Sequence, residues 1–436
     1  LYLSLEEVPA YAALAAELAP HAREARALNA RPAIVRARVQ TIKLAALERM
    51  WRALTASGRR DVELAEFMAA QGKPLRQWCV FAALSEELGP GWTQWPAGLR
   101  DPDGAAVGHA AERMADRVDF HAWLQLLLDR QLAAASRATP LIGDLPVGFD
   151  PGGFDAWAWQ AMLAPASIGA PPDVFNPAGQ RWGLPPFAPH RLRAAGYRPF
   201  VETIRANLAH SGGLRIDHVL GLFRQWWVPE GANPADGAYV RQPTQELLAV
   251  LAIESHRAGA VVIGEDLGTV APGVRRRLAS ANVLSTRLGF FERRPPARWP
   301  RRSVAAMTTH DLPTIAGAWT GEDLEDQAQA GIVPDARALA RLRARLSALA
   351  GVSDGTPVPE VVLRAHAALS AAPSALALAT LEDALLERRR PNLPGTGRAQ
   401  RDNWSRALPA TLERMEQDPF VQQLARTMGS GPGGER

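Results

Sequence analysis

Residues 212–221, GGLRIDHVLG, decide the fold. Two glycines lead into Leu214, Arg215 and Ile216, and the run stops abruptly at the carboxylate Asp217. A turn signal, a few apolar residues and a sudden polar end describe a short buried strand. Two later runs repeat the pattern. VVIGEDLG, 261–268, breaks at Glu265, and SVAAMTTHDLPT, 303–314, breaks at Asp311. The three carboxylates lie 48 and 46 residues apart, a spacing that accommodates strand–helix repeats. Carboxylates at the carboxyl ends of successive parallel strands are where a (β/α)8 barrel places its active site.

Outward from these runs, three more strands are expected: TPLIGDLPVG at 139–148, ending at Asp144; LSTRLGFF at 284–291; and SALALATLED at 374–383. The last of these reads equally well as a helix. Helical stretches intervene, such as PTQELLAVLAIESHRAG at 243–259 and PGVRRRLASA at 272–281. Strand and helix alternating at this rhythm predict a parallel sheet with helical crossovers. Six strands are two short of the eight a closed barrel needs. Residues 1–138 carry little strand signal. In 112–137 the residues Met114, Val118, Leu124, Leu127, Leu128 and Leu132 trace one helical face. The expected organisation is a mostly helical subdomain at 1–138, the catalytic barrel portion at 139–412, and a C-terminal helix with a glycine-rich, flexible tail at 413–436.

At 436 residues the chain can bury one barrel and an elaboration. No apolar run reaches the roughly 18 residues of a membrane span. The start, LYLSLEEVPA, lacks both a signal-peptide pattern and a methionine, which fits a fragment. A net charge of +4 and a pI near 9.7 invite a nucleic-acid reading. The basic residues, however, are nearly all arginine, with Lys43 and Lys73 the only lysines, and they are dispersed rather than clustered on one face. Alanine- and arginine-rich usage fits a GC-rich genome better than a nucleic-acid surface. The lone Cys79, in the apolar stretch RQWCVFAAL, excludes an internal disulfide and reads as a buried structural thiol. A cytoplasmic location is expected. No dinucleotide or phosphate loop occurs, so no cofactor is expected. Adjacent His310 and Asp311 are not spaced like chelating ligands on a helix, so no metal is expected either.

The residue types suit one chemistry. Breaking an α-glucosidic bond with retention needs a nucleophilic carboxylate and a second carboxyl that serves first as acid and then as base, roughly 5–5.5 Å apart. Asp217 suits the nucleophile, because Arg215 shares its strand face and can hold it ionised. Glu265 follows an apolar run whose surroundings can raise its pKa, which suits the acid/base. Asp311, beside His310, can hold sugar hydroxyls.

These motifs carry a resemblance. GGLRIDH, GEDLG and THDLPT resemble the strand motifs of the α-amylase clan. The finer match is to 4-α-glucanotransferases, also called amylomaltases or disproportionating enzymes, glycoside hydrolase family 77. LIGDLPVGFDPGGFDAW (141–157) resembles that family's third-strand motif, and PPDVFNPAGQRWGLPPF (171–187) its active-site loop. The stretch 191–231 resembles the family through its fourth strand, and RRPNLPGTGRAQRDNWSRALP (389–409) resembles its C-terminal stretch. The resemblance implies Asp217 as nucleophile, Glu265 as acid/base and Asp311 as transition-state stabiliser. It implies Arg215 and His310 as sugar-binding residues, Asp144 as a supporting residue, and Gln180 and Trp182 on a loop covering the glucan. It also implies a (β/α)8 barrel holding strands three to eight only, since no counterpart of the family's first two strands is found. The implied substrate is an α-1,4-glucan or maltooligosaccharide with a sugar acceptor.

The competing readings are an α-glucan hydrolase on the same machinery, an inactive glucan-binding fragment, and a nucleic-acid binder motivated by pI alone. Among the neighbours, His218 is expected to face away from Asp217. Asp266 is expected in a salt bridge or turn, Trp226 and Trp227 in core or wall, and Trp92 and Trp95 packing their loop.

Overall fold

The computed structural model describes residues 1–56, 61–172, 178–268 and 270–429. The chain divides into two compact units, Leu1–Ala19 with Ile42–Asn282 and Pro20–Thr41 with Val283–Arg436. Expectations for the glycine-rich tail fall on residues 430–436, outside the described residues.

Helices come first: Tyr11–Asn29, Arg36–Ala56, Val62–Leu88, Ala105–Arg113 and Ala115–Ala138 among them. Asp61 caps Val62–Leu88 by accepting the Leu64 N–H, satisfying one of the free donors of its first turn. The same helix kinks at Gly72, where φ is +61° and Pro74 follows two residues on. Its buried face carries Cys79, Val80, Ala83 and Leu84. These pack into a core with Met50, Phe120, Trp123 and Leu127. Trp95 is also buried there, ring to ring with Phe81 and Trp157, so it packs its loop as expected. The helical reading of 112–137 needs two changes. The helix breaks at Met114, and its buried face turns toward Val118, Trp123, Leu126 and Leu127, leaving Leu132 exposed.

Among the described residues, seven strands follow in the first unit: β1 (Ile142–Leu145), β2 (Ala166–Ala170), β3 (Gln180–Leu184), β4 (Gly213–Ile216), β5 (Arg224–Pro229), β6 (Ala238–Arg241) and β7 (Val261–Gly264). β1, β4 and β7 are parallel neighbours, with Asp144 opposite Arg215 and Ile216 opposite Gly264. Among the described residues β1 is the edge strand of this sheet and pairs with β4 alone. Its residues alternate between exposed and half-buried, as an edge allows. The other four strands form an antiparallel sheet in the order β3, β2, β5, β6. No apolar run or alternation in the sequence announces this sheet. It makes Gln180 and Trp182 strand residues, where a loop was expected; Asp173 to Pro177 of that segment lie outside the described residues. Trp226 and Trp227 lie half-buried on β5.

In the second unit, β8 (Leu284–Leu288), β9 (Ser303–Ala306) and β10 (Leu376–Leu378) are again parallel, β9 pairing with both β8 and β10. β8 and β9 are buried along their whole length, although β8 carries Ser285, Thr286 and Arg287 between its two leucines and β9 opens on Ser303. The ambiguous stretch at 374–383 is both things: a three-residue strand, then a short helix, Leu381–Ala384, capped by Thr380. The core of this unit gathers Phe290, Met307, Ile315, Val361, Val362, Leu369 and Leu424. All six expected parallel strands are present. Among the described residues they form an incomplete parallel core, two strands short of a closed (β/α)8 barrel and preceded by a helical subdomain.

Candidate active site

In the first unit the ends of β1, β4 and β7 bring four predicted residues together. The ladder runs past the strand ends: Asp217 donates its N–H to Leu145 O at 2.9 Å, and Glu265 donates to Ile216 O at 3.0 Å. Both carboxylates are therefore fixed by backbone at the first position beyond register-paired residues. Gly264 lets the chain close up there; a Cβ on it would stand 2.9 Å from a methyl of Val219. After Asp217 the chain turns sharply. His218 sits in the left-handed region at φ +46°, a costly conformation that the surrounding contacts must hold.

Arg215 bridges two acids, donating from Nη1 to Asp144 Oδ1 at 2.5 Å and from Nη2 to Asp217 Oδ1 at 2.8 Å. Burial alone would lower the guanidinium's pKa. The hydrogen bonds and charges of Asp144 and Asp217 outweigh it and raise the value, so Arg215 stays a fixed cation. Glu265 is held differently. Its Oε2 accepts the His218 N–H at 2.9 Å and its Oε1 accepts the Leu267 N–H at 2.8 Å. Its pKa lies above the ordinary glutamate value, chiefly through burial, with the charge of Asp217 adding to it. The two backbone donors and Arg215 oppose that rise without cancelling it.

The ring of His218 meets Trp182 edge-on, centroids 5.5 Å apart, and Trp182 donates its indole N–H to Gln180 Oε1 at 2.9 Å. The antiparallel sheet thus supports the turn that donates to Glu265. Burial lowers the His218 pKa against the pull of Asp217, favouring the neutral ring. Asp217 and His218 also line a cavity of about 590 Å³ whose walls include Phe149, Phe187, Phe200 and Leu222. Asp266, next to Glu265, is fully buried and takes the Arg275 side chain at 2.7 Å, a structural ion pair.

The second unit holds His310 and Asp311, in the loop after β9. His310 Nε2 lies 3.6 Å from Asp311 Oδ2. Three groups that the sequence analysis did not single out converge on this pair. Asn392 Nδ2 donates to Asp311 Oδ1 at 2.6 Å, Arg390 Nη1 donates to the Asp311 carbonyl at 2.8 Å, and the Trp404 ring packs against His310 at 4.8 Å. All three lie within 389–409, the stretch whose resemblance to the family was legible. The available signal was its density of Asn, Gly and Trp outside any strand or helix pattern. Beyond the loop, Thr314 caps the helix Ile315–Thr320, and buried Asp383 accepts the Ile315 N–H at 2.9 Å.

Among the described residues, no cluster of His, Cys, Asp or Glu could hold a metal ion, and no helix is long and apolar enough to cross a membrane.

Set beside known proteins, residues 1–412 match the glycoside hydrolase 77 family model, described as 4-alpha-glucanotransferase. A 4-alpha-glucanotransferase of Mycobacterium tuberculosis is 40% identical over 88% of this chain and 57% of its own length. One from Haemophilus influenzae is 36% identical over 68% of this chain and 46% of its own. The chain therefore spans about half the length of these relatives. Among solved structures, an amylomaltase from Corynebacterium glutamicum superposes with a TM-score of 0.84 at 30% identity, covering 98% of this chain and 65% of that one. An amylomaltase from Streptococcus agalactiae, in complex with acarbose, has a TM-score of 0.75 at 18% identity, covers 92% and 81%, and shares the fold. With a family model spanning most of its length, strand-end motifs to match and relatives at 40% identity, the chain belongs to glycoside hydrolase family 77, the 4-alpha-glucanotransferase family.

Proposed function

We propose that this chain carries the chemistry of a 4-α-glucanotransferase, moving a segment of an α-1,4-glucan to an acceptor sugar by retaining double displacement. Asp217 attacks the anomeric carbon and forms a glycosyl ester. Glu265 gives its proton to the leaving oxygen, then takes one from the acceptor hydroxyl. Asp311 stabilises the charge that develops on the ring, while Arg215, His310, Asp144, Gln180 and Trp182 bind or support the sugar.

The pairing of Ile216 with Gly264 carries this reading. Residues one step beyond register partners on adjacent parallel strands stand about one strand spacing apart, roughly 4.8 Å. Backbones this close let the two carboxyls reach the roughly 5–5.5 Å of a retaining pair. The environments divide the labour. Asp217 takes a guanidinium hydrogen bond, and burial holds Glu265 toward the protonated form a general acid needs. Incubation with maltotriose tests the reading. Transfer yields glucose together with oligomers longer than maltotriose; products no longer than the substrate would indicate hydrolysis instead, and no turnover would refute activity in this chain.

A further inference from the structure

The strongest unassigned feature lies in the second unit, around a carboxylate that the sequence alone leaves without a partner. Residues 390–392 grip His310 and Asp311 at three points. The Asn392 side chain donates to Asp311 Oδ1 at 2.6 Å, the Asn392 N–H donates to the His310 carbonyl at 3.1 Å, and Arg390 Nη1 donates to the Asp311 carbonyl at 2.8 Å. The grip is itself anchored. Arg390 is buried and makes a two-pronged pair with buried Asp323, at 2.9 and 2.5 Å. Arg401, also buried, pairs with Asp326 and donates to the Arg390 carbonyl at 2.5 Å. Buried two-pronged arginine–carboxylate pairs fix geometry more strictly than a loop can alone.

We propose that Asn392 is a positioning residue for the sugar chemistry: carried on the loop that the Arg390–Asp323 and Arg401–Asp326 pairs hold rigid, its side-chain amide sets the orientation of the Asp311 carboxylate. This deepens the function proposed above and rests on it, since it requires that Asp311 act on the substrate. Asp311 has His310 on one oxygen and Asn392 on the other. An amide donor holds one oxygen without neutralising the carboxylate, leaving its negative charge available to a developing oxocarbenium ion. A charge-assisted hydrogen bond at the reacting site is lost most heavily in the transition state, so its removal should appear in kcat rather than in KM.

The test uses the whole chain with maltotriose as donor and compares Asn392→Ala, Asn392→Asp and Asp311→Asn. Asn392→Ala should lower kcat about 10- to 100-fold and move KM less than about threefold. Asn392→Asp keeps the shape but sets a second carboxyl against Asp311, and two carboxyls so close cannot both ionise. Protonated, the new side chain donates as the amide does. Activity should thus recover toward low pH, with an alkaline limb displaced from that of the native chain because the shared proton must also be kept. A merely structural role would lower activity evenly across pH. In a chain selectively labelled with 15N-asparagine, the side-chain amide signal lost in Asn392→Ala should also shift in Asp311→Asn. If Asp311→Asn abolishes turnover while Asn392→Ala leaves kcat unchanged, or the Asn392→Asp profile keeps the native alkaline limb, the inference falls alone. If Asp311→Asn retains full turnover, or the native chain has none, the underlying reading falls and the inference with it.

Discussion

Replacing Glu265 by glutamine separates the two steps of the proposed reaction. The substitution is nearly isosteric but not neutral for the fold. Glu265 accepts two backbone N–H groups, from His218 and Leu267, one on each oxygen. Glutamine has one carbonyl oxygen, so one of those donors must face an NH2 group. An unmade buried hydrogen bond costs about 1–3 kcal/mol, partly offset because a buried ionisable carboxyl is gone. A net loss of about 1 kcal/mol, or about 1–2 °C in Tm for a chain of this size, is expected. Turnover of maltotriose should fall far more, by roughly 10²–10⁴-fold, because the leaving sugar oxygen loses its proton donor. An α-glucosyl fluoride leaves without much protonation, so it should still glycosylate Asp217 at near-native rate. The adduct should then accumulate, because the base for the second step is absent too. Intact-mass measurement after rapid quench should show one added glucosyl unit, mapped to the peptide holding Asp217. The pH dependence gives an independent check. Glu265 titrates above the ordinary 4.5, so the native proton-donor form persists to higher pH and turnover falls as pH rises through that raised value. The fluoride reaction of Glu265→Gln should lack this limb. Equal losses with both donors, an adduct on any residue but Asp217, or an adduct in Asp217→Asn would refute the reasoning.

Arg215→Ala removes the bridge between Asp144 and Asp217, leaving two carboxylates facing each other. With the Asp144 side chain 50% exposed, the stability loss should be held to about 1–2 kcal/mol in a denaturant titration, while turnover drops at least about 100-fold. Cys79 is fully buried and its thiol is pushed up to about 12, first by burial and then by Asp119, so native protein should resist a thiol reagent that labels the unfolded chain at once. Burial would raise the Glu86 pKa, but His121, 3.3 Å away, and Arg117, which donates to it, hold it down to about 2. Because the folded value is the depressed one, its contribution is present above about pH 4.5 and is lost as pH falls toward 2. Glu86→Gln should flatten the stability–pH curve in that window, by about 1–2 kcal/mol after allowance for its exposure, as read by urea unfolding at several pH values.

The six parallel strands were legible because most carry a compact apolar signal that stops at a polar residue; β8 and β9 are buried along their entire length. The antiparallel sheet was not. β2 is built from Ala, Ser, Ile and Gly, and β5 and β6 leave most residues half-buried or exposed, so neither a continuous apolar run nor a clean alternation marks them. The expected face of 112–137 shares buried Val118 and Leu127 with the observed one, and Met114, Leu124 and Leu128 pack against the core, but the spacing of leucines omits Phe120, Trp123 and Leu126 and includes exposed Leu132. At the site, the contact of Arg215 with Asp217 follows from strand periodicity alone. The contact of Asn392 with Asp311, across 81 residues, follows from no local pattern.

Asp217 and Glu265 stand at equivalent positions, each one residue past a register-paired strand end, and nothing local distinguishes their chemistry. Their surroundings do. The residue two before Asp217 on β4 is Arg215, which shares its face; the residue two before Glu265 on β7 is Ile263, which brings no charge. Glu265 takes its hydrogen bonds from backbone, one of them from His218, whose left-handed conformation turns that N–H onto the carboxylate. An arginine on one strand, an isoleucine at the paired position of the next, and one strained turn between them give two adjacent carboxylates different hydrogen-bond partners, a guanidinium for Asp217 and two backbone N–H groups for Glu265. That difference is what an acid/base and a nucleophile require, and exchanging Arg215 and Ile263 should abolish it.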